Sequence, residues 1–255
     1  MIFQTQQKLF ELNLPANRKQ VIIKMSGGAD SAILAYCFAL YKKQERPDLK
    51  LYAVTVNSVP PKNYHVKIAK RVMDKITELT GVTFERHYTR DLEEPGVDDT
   101  GLSIKEWRKA SSYTRTSQQL VEELKLEIQI DKNPINRPLH YSGVTANPPT
   151  SLSMFYEDWY ASGGMKGHWI SERDPNVIRD EGFDHKHWRQ PFTNIDKKAI
   201  YELYSIHGIV DELFPLTRSC ENEAKGQQML GGGPEEHCGK CWWCLERQWA
   251  FGRLV

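Results

Sequence analysis

Two groups of residues in this chain have types and spacings that suit chemistry. The first is a run of small and hydroxyl side chains, Ser26-Gly27-Gly28-Ala29-Asp30-Ser31. Adjacent glycines let a backbone come close to a ligand, hydroxyls donate hydrogen bonds, and the free amides of a helix's first turn point toward whatever lies above them. This combination predicts a phosphate-binding turn. The alternative is an ordinary Gly-Gly turn in which Asp30 or Ser31 caps the following helix.

The second group consists of cysteines late in the sequence: Cys220, Cys238, Cys241 and Cys244. Two overlapping Cys-x-x-Cys steps place thiolates close together at the start of a helix, and Cys220 supplies a fourth. Four thiolates suit a closed tetrahedral Zn²⁺ site, which would stabilise a loop with little core of its own. An iron–sulfur cluster and a redox-active pair are the alternatives.

The elements around the glycine turn predict the fold class. Strands are predicted over residues 20–25, 49–57 and 82–89, and helices over 31–44 and 63–80. This alternation predicts right-handed βαβ crossovers and a parallel α/β sheet. Ligands of such sheets bind beyond the carboxyl ends of the strands, where the glycine turn and Asn57 both lie. Cys37 falls at helical spacing with apolar neighbours and is predicted to be a core residue.

Weaker patterns fill the rest of the sequence. Helices are predicted over residues 6–12, 112–128 and 194–207, and a further strand over 138–146. The acidic residues between 91 and 99 indicate a solvated loop, with a Mg²⁺ site as the alternative. The aromatic stretch from 151 to 192 either stacks on a heterocycle or packs an irregular segment. Within it, His185 and His187 lack a third ligand at a suitable spacing, which favours a surface loop over a metal site.

Composition argues against several classes of function. The 34 basic and 33 acidic residues nearly balance, so no direct nucleic-acid partner is expected. The N-terminal residues lack a signal-peptide pattern, and no apolar run approaches the ~20 residues of a membrane span. A cytoplasmic protein without a membrane partner is therefore expected. Its five cysteines are then expected to be thiols or metal ligands rather than disulfides.

The motifs resemble those of a known enzyme family. The run from Ser26 to Ser31 resembles the SGGxDS signature of the PP-loop ATP pyrophosphatases, which cleave ATP between its α and β phosphates to adenylate a substrate. Later motifs resemble, in order and spacing, the tail of the 7-cyano-7-deazaguanine synthase family. These are Gln190-Pro191-Phe192, Ile195-Asp196-Lys197-Lys198, Thr217-Arg218-Ser219-Cys220, and Cys238-Gly239-Lys240-Cys241-Trp242-Trp243-Cys244 followed by Arg247.

This resemblance implies a fold, cofactors and a reaction. The fold would be an adenine-nucleotide α-hydrolase-like, Rossmann-like parallel sheet. A PP-loop ATP-binding domain would span residues 1–210, and a zinc-binding segment over 211–255 would pack on it. The cofactors would be ATP, Mg²⁺ and Zn²⁺. The enzyme would be a ligase that adenylates the carboxylate of 7-carboxy-7-deazaguanine and uses ammonia to form an amide or the nitrile, and the family also implies a homodimer.

The resemblance implies roles for individual residues as well. The pyrophosphate would be held by Ser26, Gly27, Gly28, Ala29, Asp30 and Ser31, with Val56, Asn57 and Gly143 completing the nucleotide site. Asp30 and Lys197 would be catalytic, with the lysine facing the phosphates to offset charge on the leaving pyrophosphate. Alternatively, Lys197 is one lysine of a surface helix. Zinc would be bound by Cys220, Cys238, Cys241 and Cys244, with Arg247 packed or paired nearby.

Two segments depart from the family pattern. Residues 57–61 and 143–151 differ from it where the substrate would be recognised. Two other functions therefore stay open. One is a PP-loop sulfur transferase or sulfonucleotide reductase, which would need a catalytic thiol; Cys37 is the one cysteine outside the zinc set. The other is a non-catalytic nucleotide-binding module.

Overall fold

The computed structural model describes residues 1–12, 14–57, 64–90, 137–149, 151–152, 173–181, 188–220, 237–239 and 241–255. Its strands are β1 (Ile2–Gln4), β2 (Leu9–Glu11), β3 (Gln20–Lys24), β4 (Lys50–Val56), β5 (Arg86–Arg90), β6 (Leu139–Tyr141) and β7 (Trp188–Arg189). Its helices are α1 (Ala29–Gln44), α2 (His65–Thr80), α3 (Lys197–Ile206) and α4 (Trp242–Phe251), with a 3-10 turn at Phe214–Leu216.

Five parallel strands form the main sheet, in the order β5-β4-β3-β6-β7. Val21 of β3 pairs with Leu51 of β4 on one side and with Leu139 of β6 on the other. The chain thus runs outward from β3 to β5 and then returns to the opposite side of β3. Such a reversal opens a crevice at the carboxyl ends of β3 and β6, where Rossmann-like sheets bind ligands. The predicted parallel α/β fold is confirmed.

The central strand and the helix after it form the middle of the core. Val21, Ile22 and Ile23 are fully buried, and so is most of α1. A helix that is apolar around most of its circumference must be covered on more than one face, and α1 packs against α2, β3 and α3. Cys37 lies inside this core, and burial raises the pKa of its thiol. The prediction that Cys37 is a core residue is confirmed.

The predicted helix over residues 6–12 is wrong. In its place β1 and β2 form an antiparallel hairpin in which Phe3 lies opposite Phe10. The two buried rings stack with centroids 5.2 Å apart, whereas Leu9 and Glu11 are exposed. Leu9-Phe10-Glu11 therefore follows the period of two of a half-buried strand.

Two strand boundaries also differ from the predictions. β5 begins at Arg86 rather than at residue 82, and β6 ends at Tyr141 rather than at residue 146. After β6 the chain is irregular but held in place, since the Ala146 amide donates to the Ile195 carbonyl at 2.8 Å.

Several predictions concern residues outside the described ranges. They are the acidic loop (91–99), the helix over 112–128, His185 and His187, and most of the aromatic stretch (153–172 and 182–187). Across the helices that are described, none combines the length and the apolar character that crossing a membrane requires.

The elements after β7 pack on the same core as the sheet. Phe214 and Phe251 stack with centroids 3.8 Å apart, and Tyr204 of α3 meets both rings edge-on. The Tyr204 hydroxyl donates to the carbonyl of Ala29, in the first turn of α1, at 2.9 Å. The helix that follows the cysteines is thereby placed close to the start of α1.

Candidate active site and metal centre

The glycine turn joins β3 to α1 and is held by its own hydroxyls. Ser26 Oγ lies 3.1 Å from Ser31 Oγ and accepts from the Gly28 amide at 3.3 Å. Gly27 has a φ of 81°, and a Cβ there would lie 2.7 Å from Ile68 Cγ2, so this position needs glycine. The N-cap of α1 is Gly28, and no side chain caps the helix. The alternative that Asp30 or Ser31 is the cap is therefore wrong, and the N-terminus of α1 keeps amides for a ligand.

Gly143 brings the end of β6 against this turn. A Cβ at residue 143 would lie 2.7 Å from the carbonyl carbon of Asp30 and 3.0 Å from the amide nitrogen of Ser31. Both are backbone atoms, which cannot rotate away. Only glycine allows this approach, and it closes one side of the crevice between β3 and β6.

A pocket of about 240 Å³ lies over the glycine turn and extends to Cys220. It is lined by Ser26, Gly28, Asp30, His65, Gly143, Val144, Thr145, Arg173, Lys197, Arg218, Ser219, Cys220 and Trp243. Three of these side chains are cationic, whereas Asp30 is the one carboxylate among them. A pocket with positive charge over a helix N-terminus suits a ligand that carries phosphate.

Charges of alternating sign lie at and behind one wall of the pocket. Lys197 Nζ donates to Asp30 Oδ2 and lies 3.6 Å from Glu246 Oε2, while Arg173 Nη2 donates to Glu246 Oε1 at 2.7 Å. The Lys197 and Glu246 side chains are only 4% and 1% exposed. The alternative that Lys197 belongs to a surface face is therefore wrong. Burial raises the pKa of the Asp30 carboxyl, and Lys197 opposes that rise.

Arg218 is bonded to the glycine turn through its backbone. Its amide donates to the Gly27 carbonyl at 2.8 Å, and its guanidinium lies over the Tyr64 ring at 4.3 Å from the centroid. Its Nε donates to the Cys220 carbonyl at 3.4 Å. The segment that leads to Cys220 is thus fastened directly to the turn.

The four cysteines predicted as metal ligands lie together. Their sulfur atoms all fall within 4.8 Å of one another. Cys238 Sγ lies 3.9 Å from Cys244 Sγ, and Cys241 Sγ lies 3.8 Å from Cys220 Sγ. A hydrogen bond to Cys220 raises the pKa of Cys241 to about 12, so without a cation this thiol stays protonated. Four sulfur donors at these separations could hold one metal ion.

Arg247 connects α4 to the segment that precedes Cys220. It is fully buried; Nη1 donates to Thr217 Oγ1 at 2.8 Å and Nη2 to the Phe214 carbonyl at 2.9 Å. Its guanidinium also lies 3.6 Å from the centroid of the Phe214 ring. Arg247 therefore ties α4 to the segment that carries Arg218 and Cys220.

The structure brings most of the predicted site residues together. Ser26, Gly28, Asp30, Gly143 and Lys197 line the pocket, and Gly27, Ala29 and Ser31 form the turn beneath it. Val56 and Asn57 are not among the lining residues. Asn57 Oδ1 instead accepts from the Val66 amide at 2.8 Å, which satisfies a free donor in the first turn of α2.

The sequence predictions missed several residues of the site. Among them are Arg173, Arg218, Trp243 and Glu246. Arg218, Trp243 and Glu246 lie inside or beside the cysteine motifs, and this position in the sequence could have indicated that they belong to the site. Arg173 is isolated in the sequence, and nothing local distinguishes it from a surface arginine.

Comparisons with known proteins yield distant structural similarities only. No family model and no curated protein sequence matches the chain. One similar solved structure is the U34-tRNA thiolase NcsA from Methanococcus maripaludis with its 4Fe-4S cluster, at a TM-score of 0.38 and 18% identity over 74% of this chain. The chain spans 57% of the length of that protein. Another is the NMN synthetase from Francisella tularensis, at a TM-score of 0.40 and 13% identity, covering 92% of this chain and 84% of the synthetase. Similarities this distant do not assign an activity, so the functional proposal depends on the residues of the site.

Proposed function

We propose that the chain is a PP-loop ligase that cleaves ATP to AMP and pyrophosphate in order to activate a carboxylate. The observation that carries the proposal is the turn from Ser26 to Ser31. Its hydroxyls form hydrogen bonds within the turn, and the pocket at the start of α1 is lined by Arg173, Lys197 and Arg218. Backbone amides at a helix start bind phosphate oxygens, and buried cations offset the charge that grows on departing pyrophosphate.

Asp30 and Lys197 are the residues we assign to the reacting phosphates. Lys197 is buried at the pocket wall, and it can turn a donor from Asp30 toward a phosphate oxygen. Asp30 Oδ1 is buried and has no hydrogen-bond partner among the described residues, so a free carboxylate oxygen is available to hold Mg²⁺. Bound Mg²⁺ would neutralise charge on the phosphates.

The proposed reaction has two stages. The acceptor carboxylate attacks the α-phosphorus of ATP, the bond to the β-phosphate oxygen breaks, and an acyl adenylate and pyrophosphate result. Ammonia then adds to the acyl carbon and AMP leaves, which gives an amide. A second ATP can adenylate the amide oxygen, and loss of AMP and a proton then gives the nitrile. The family resemblance points to 7-carboxy-7-deazaguanine as the acceptor.

For the metal, we propose Zn²⁺ with a structural role. A tetrahedral ion with Zn–S bonds of about 2.3 Å holds its sulfurs about 3.8 Å apart, close to the 3.8 and 3.9 Å seen for two pairs here. An iron–sulfur cluster places several iron atoms between its thiolates and needs them farther apart. The spacing therefore favours a single ion.

A sulfur transferase is the second candidate, because Cys220 lines the pocket. Such an enzyme needs a reactive thiol or a metal-bound sulfide. Cys37 cannot serve as the reactive thiol, since it is fully buried in α1. A sulfur transferase would therefore have to use the cysteine cluster.

The test is formation of AMP and pyrophosphate from ATP with 7-carboxy-7-deazaguanine and ammonia, with the product identified by mass. Acceptor-dependent AMP together with the amide or nitrile is the expected result. Lys197→Met should lower kcat by about a hundredfold or more, whereas Lys198→Met, at the exposed neighbouring position, should leave it unchanged. A thio product with sulfide in place of ammonia would support the sulfur transferase. ATP binding without turnover with any acceptor would support the non-catalytic module.

A further inference from the structure

One cation of the pocket, Arg218, has no carboxylate partner among the residues that the structure describes. Two carboxylates, the partly buried Asp30 and the fully buried Glu246, pair with Lys197 and Arg173. The third cation, Arg218, makes no ion pair with any described residue, and its Nη1 is buried without a hydrogen-bond partner there. Arg218 as a whole is only 8% exposed. Leaving a buried guanidinium uncompensated is costly, so the site is built for a negative group that arrives from outside.

The position of Arg218 is fixed by contacts that do not use this free end. The amide donates to Gly27, Nε donates to the Cys220 carbonyl, and the Tyr64 ring covers one face of the guanidinium. The Tyr64 hydroxyl also donates to the Cys220 carbonyl at 3.0 Å, which holds the ring in place. A guanidinium that is already held in one orientation loses little freedom when it binds an oxyanion.

A carboxylate or a phosphate matches this geometry. The planar fork of arginine binds either group through two parallel hydrogen bonds. The phosphates of ATP would have the α1 amides and Lys197 as donors. A carboxylate bound at Arg218 would lie next to the turn, because the Arg218 amide is bonded to Gly27 itself.

We infer that Arg218 binds the carboxylate of the acceptor and holds it beside the α-phosphate. This inference rests on the proposed function and adds a residue that selects the charged acceptor over a neutral one. The guanidinium would bind the carboxylate through two parallel hydrogen bonds, and one of the two oxygens would then leave its donor and attack phosphorus. Specificity of this kind is large, because a neutral competitor leaves the arginine buried and unpaired.

The test compares binding of 7-carboxy-7-deazaguanine with binding of its neutral carboxamide by calorimetry, without ATP. The wild-type protein should prefer the carboxylate by about thirtyfold or more. Arg218→Met should abolish this preference while leaving the affinity for the carboxamide within about twofold. Arg218→Lys keeps the charge but loses the fork, so it should retain part of the preference and remain folded if Arg218→Met does not. Arg86→Met is the matched control, since Arg86 also covers a tyrosine ring, at 4.4 Å, but on exposed β5.

Three outcomes would overturn the inference. The first is equal binding of the carboxylate and the carboxamide by the wild-type protein, or binding of neither. The second is an undiminished preference in both Arg218 variants. The third is a loss of ATP affinity in those variants with carboxylate affinity intact, which would assign Arg218 to the phosphates. Each differs from failure of the proposed function, which is the absence of acceptor-dependent AMP in the wild-type protein.

Discussion

Replacing Gly143 with alanine tests whether the crevice between β3 and β6 forms the ATP site. The added methyl would lie 2.7 to 3.0 Å from backbone atoms of Asp30 and Ser31. Ordinary carbon contacts are about 3.5–4.0 Å, so the turn and β6 must separate by roughly 1 Å. Overpacking of this kind costs about 1–3 kcal/mol, which corresponds to roughly 2–12 °C in Tm for a domain of this size. Because the displaced atoms belong to the start of α1, ATP affinity should fall about tenfold or more.

Gly81→Ala is the matched control for Gly143→Ala. Gly81 ends α2 with a φ of 73°, and a Cβ there would meet nothing within 4 Å. The strain of a left-handed alanine costs about 1–2 kcal/mol, so this variant should also lose stability but keep its ATP affinity. Thermal unfolding and calorimetric titration with ATP separate the two effects. If Gly143→Ala loses stability but binds ATP as well as the wild-type protein does, the placement of ATP in this crevice is wrong.

Three further predictions concern the ion pairs, pH and the metal. Glu246→Gln leaves Lys197 and Arg173 without their shared carboxylate. Denaturant titration should show a loss of roughly 3 kcal/mol in the free energy of unfolding. The control is Glu78→Gln, in an exposed pair with Lys75, which should change it almost not at all. Burial lowers the pKa of His87 from 6.5 to about 4, so between these pH values the unfolded chain binds more protons than the folded one. The free energy of unfolding should therefore rise from pH 4 to 6.5, by roughly 1–2 kcal/mol after allowance for partial exposure. His87→Gln should flatten that rise, and an unchanged slope in this variant would contradict the prediction. Cys244→Ser should lower both the Zn²⁺ content, measured by plasma mass spectrometry, and the Tm, while Cys37→Ala should keep the metal and the ATP turnover; an iron signal and visible absorption in the wild-type protein would refute the zinc assignment.

Local patterns were sufficient to predict the centre of the fold. The apolar run Val21–Ile23, the glycine turn and the uniformly apolar α1 give a strand, a turn and a buried helix in succession. The spacing of Cys238, Cys241 and Cys244 likewise predicted thiols close together at the start of a helix. In the structure Cys241 is the N-cap of α4. In both cases the information lies within a few neighbouring residues.

What the sequence did not predict depends on residues far apart in the chain. The partners of Lys197 are Asp30, 167 positions earlier, and Glu246. No local pattern distinguishes such a buried lysine from a solvated one. The N-terminal hairpin was missed because its two strands have only three residues each, too few to separate a period of two from a helical period. The hydrogen bond from the Val66 amide to Asn57 Oδ1, nine positions earlier, was likewise not predicted.

The order of residues along α4 has a consequence for how the protein acquires its site. Within five positions the helix supplies a pocket wall (Trp243), a metal ligand (Cys244), the carboxylate for Lys197 (Glu246) and the arginine that holds the Cys220 segment (Arg247). During synthesis the glycine turn leaves the ribosome more than two hundred residues before this helix. A nascent chain that has completed its sheet therefore still lacks the wall and the charge balance of its pocket, and closure of these long sequence separations should be late in folding. The metal site would form last, and a chain shortened before residue 241 would lack two of its cysteines, the Trp243 wall of the pocket and one of the carboxylates beside Lys197.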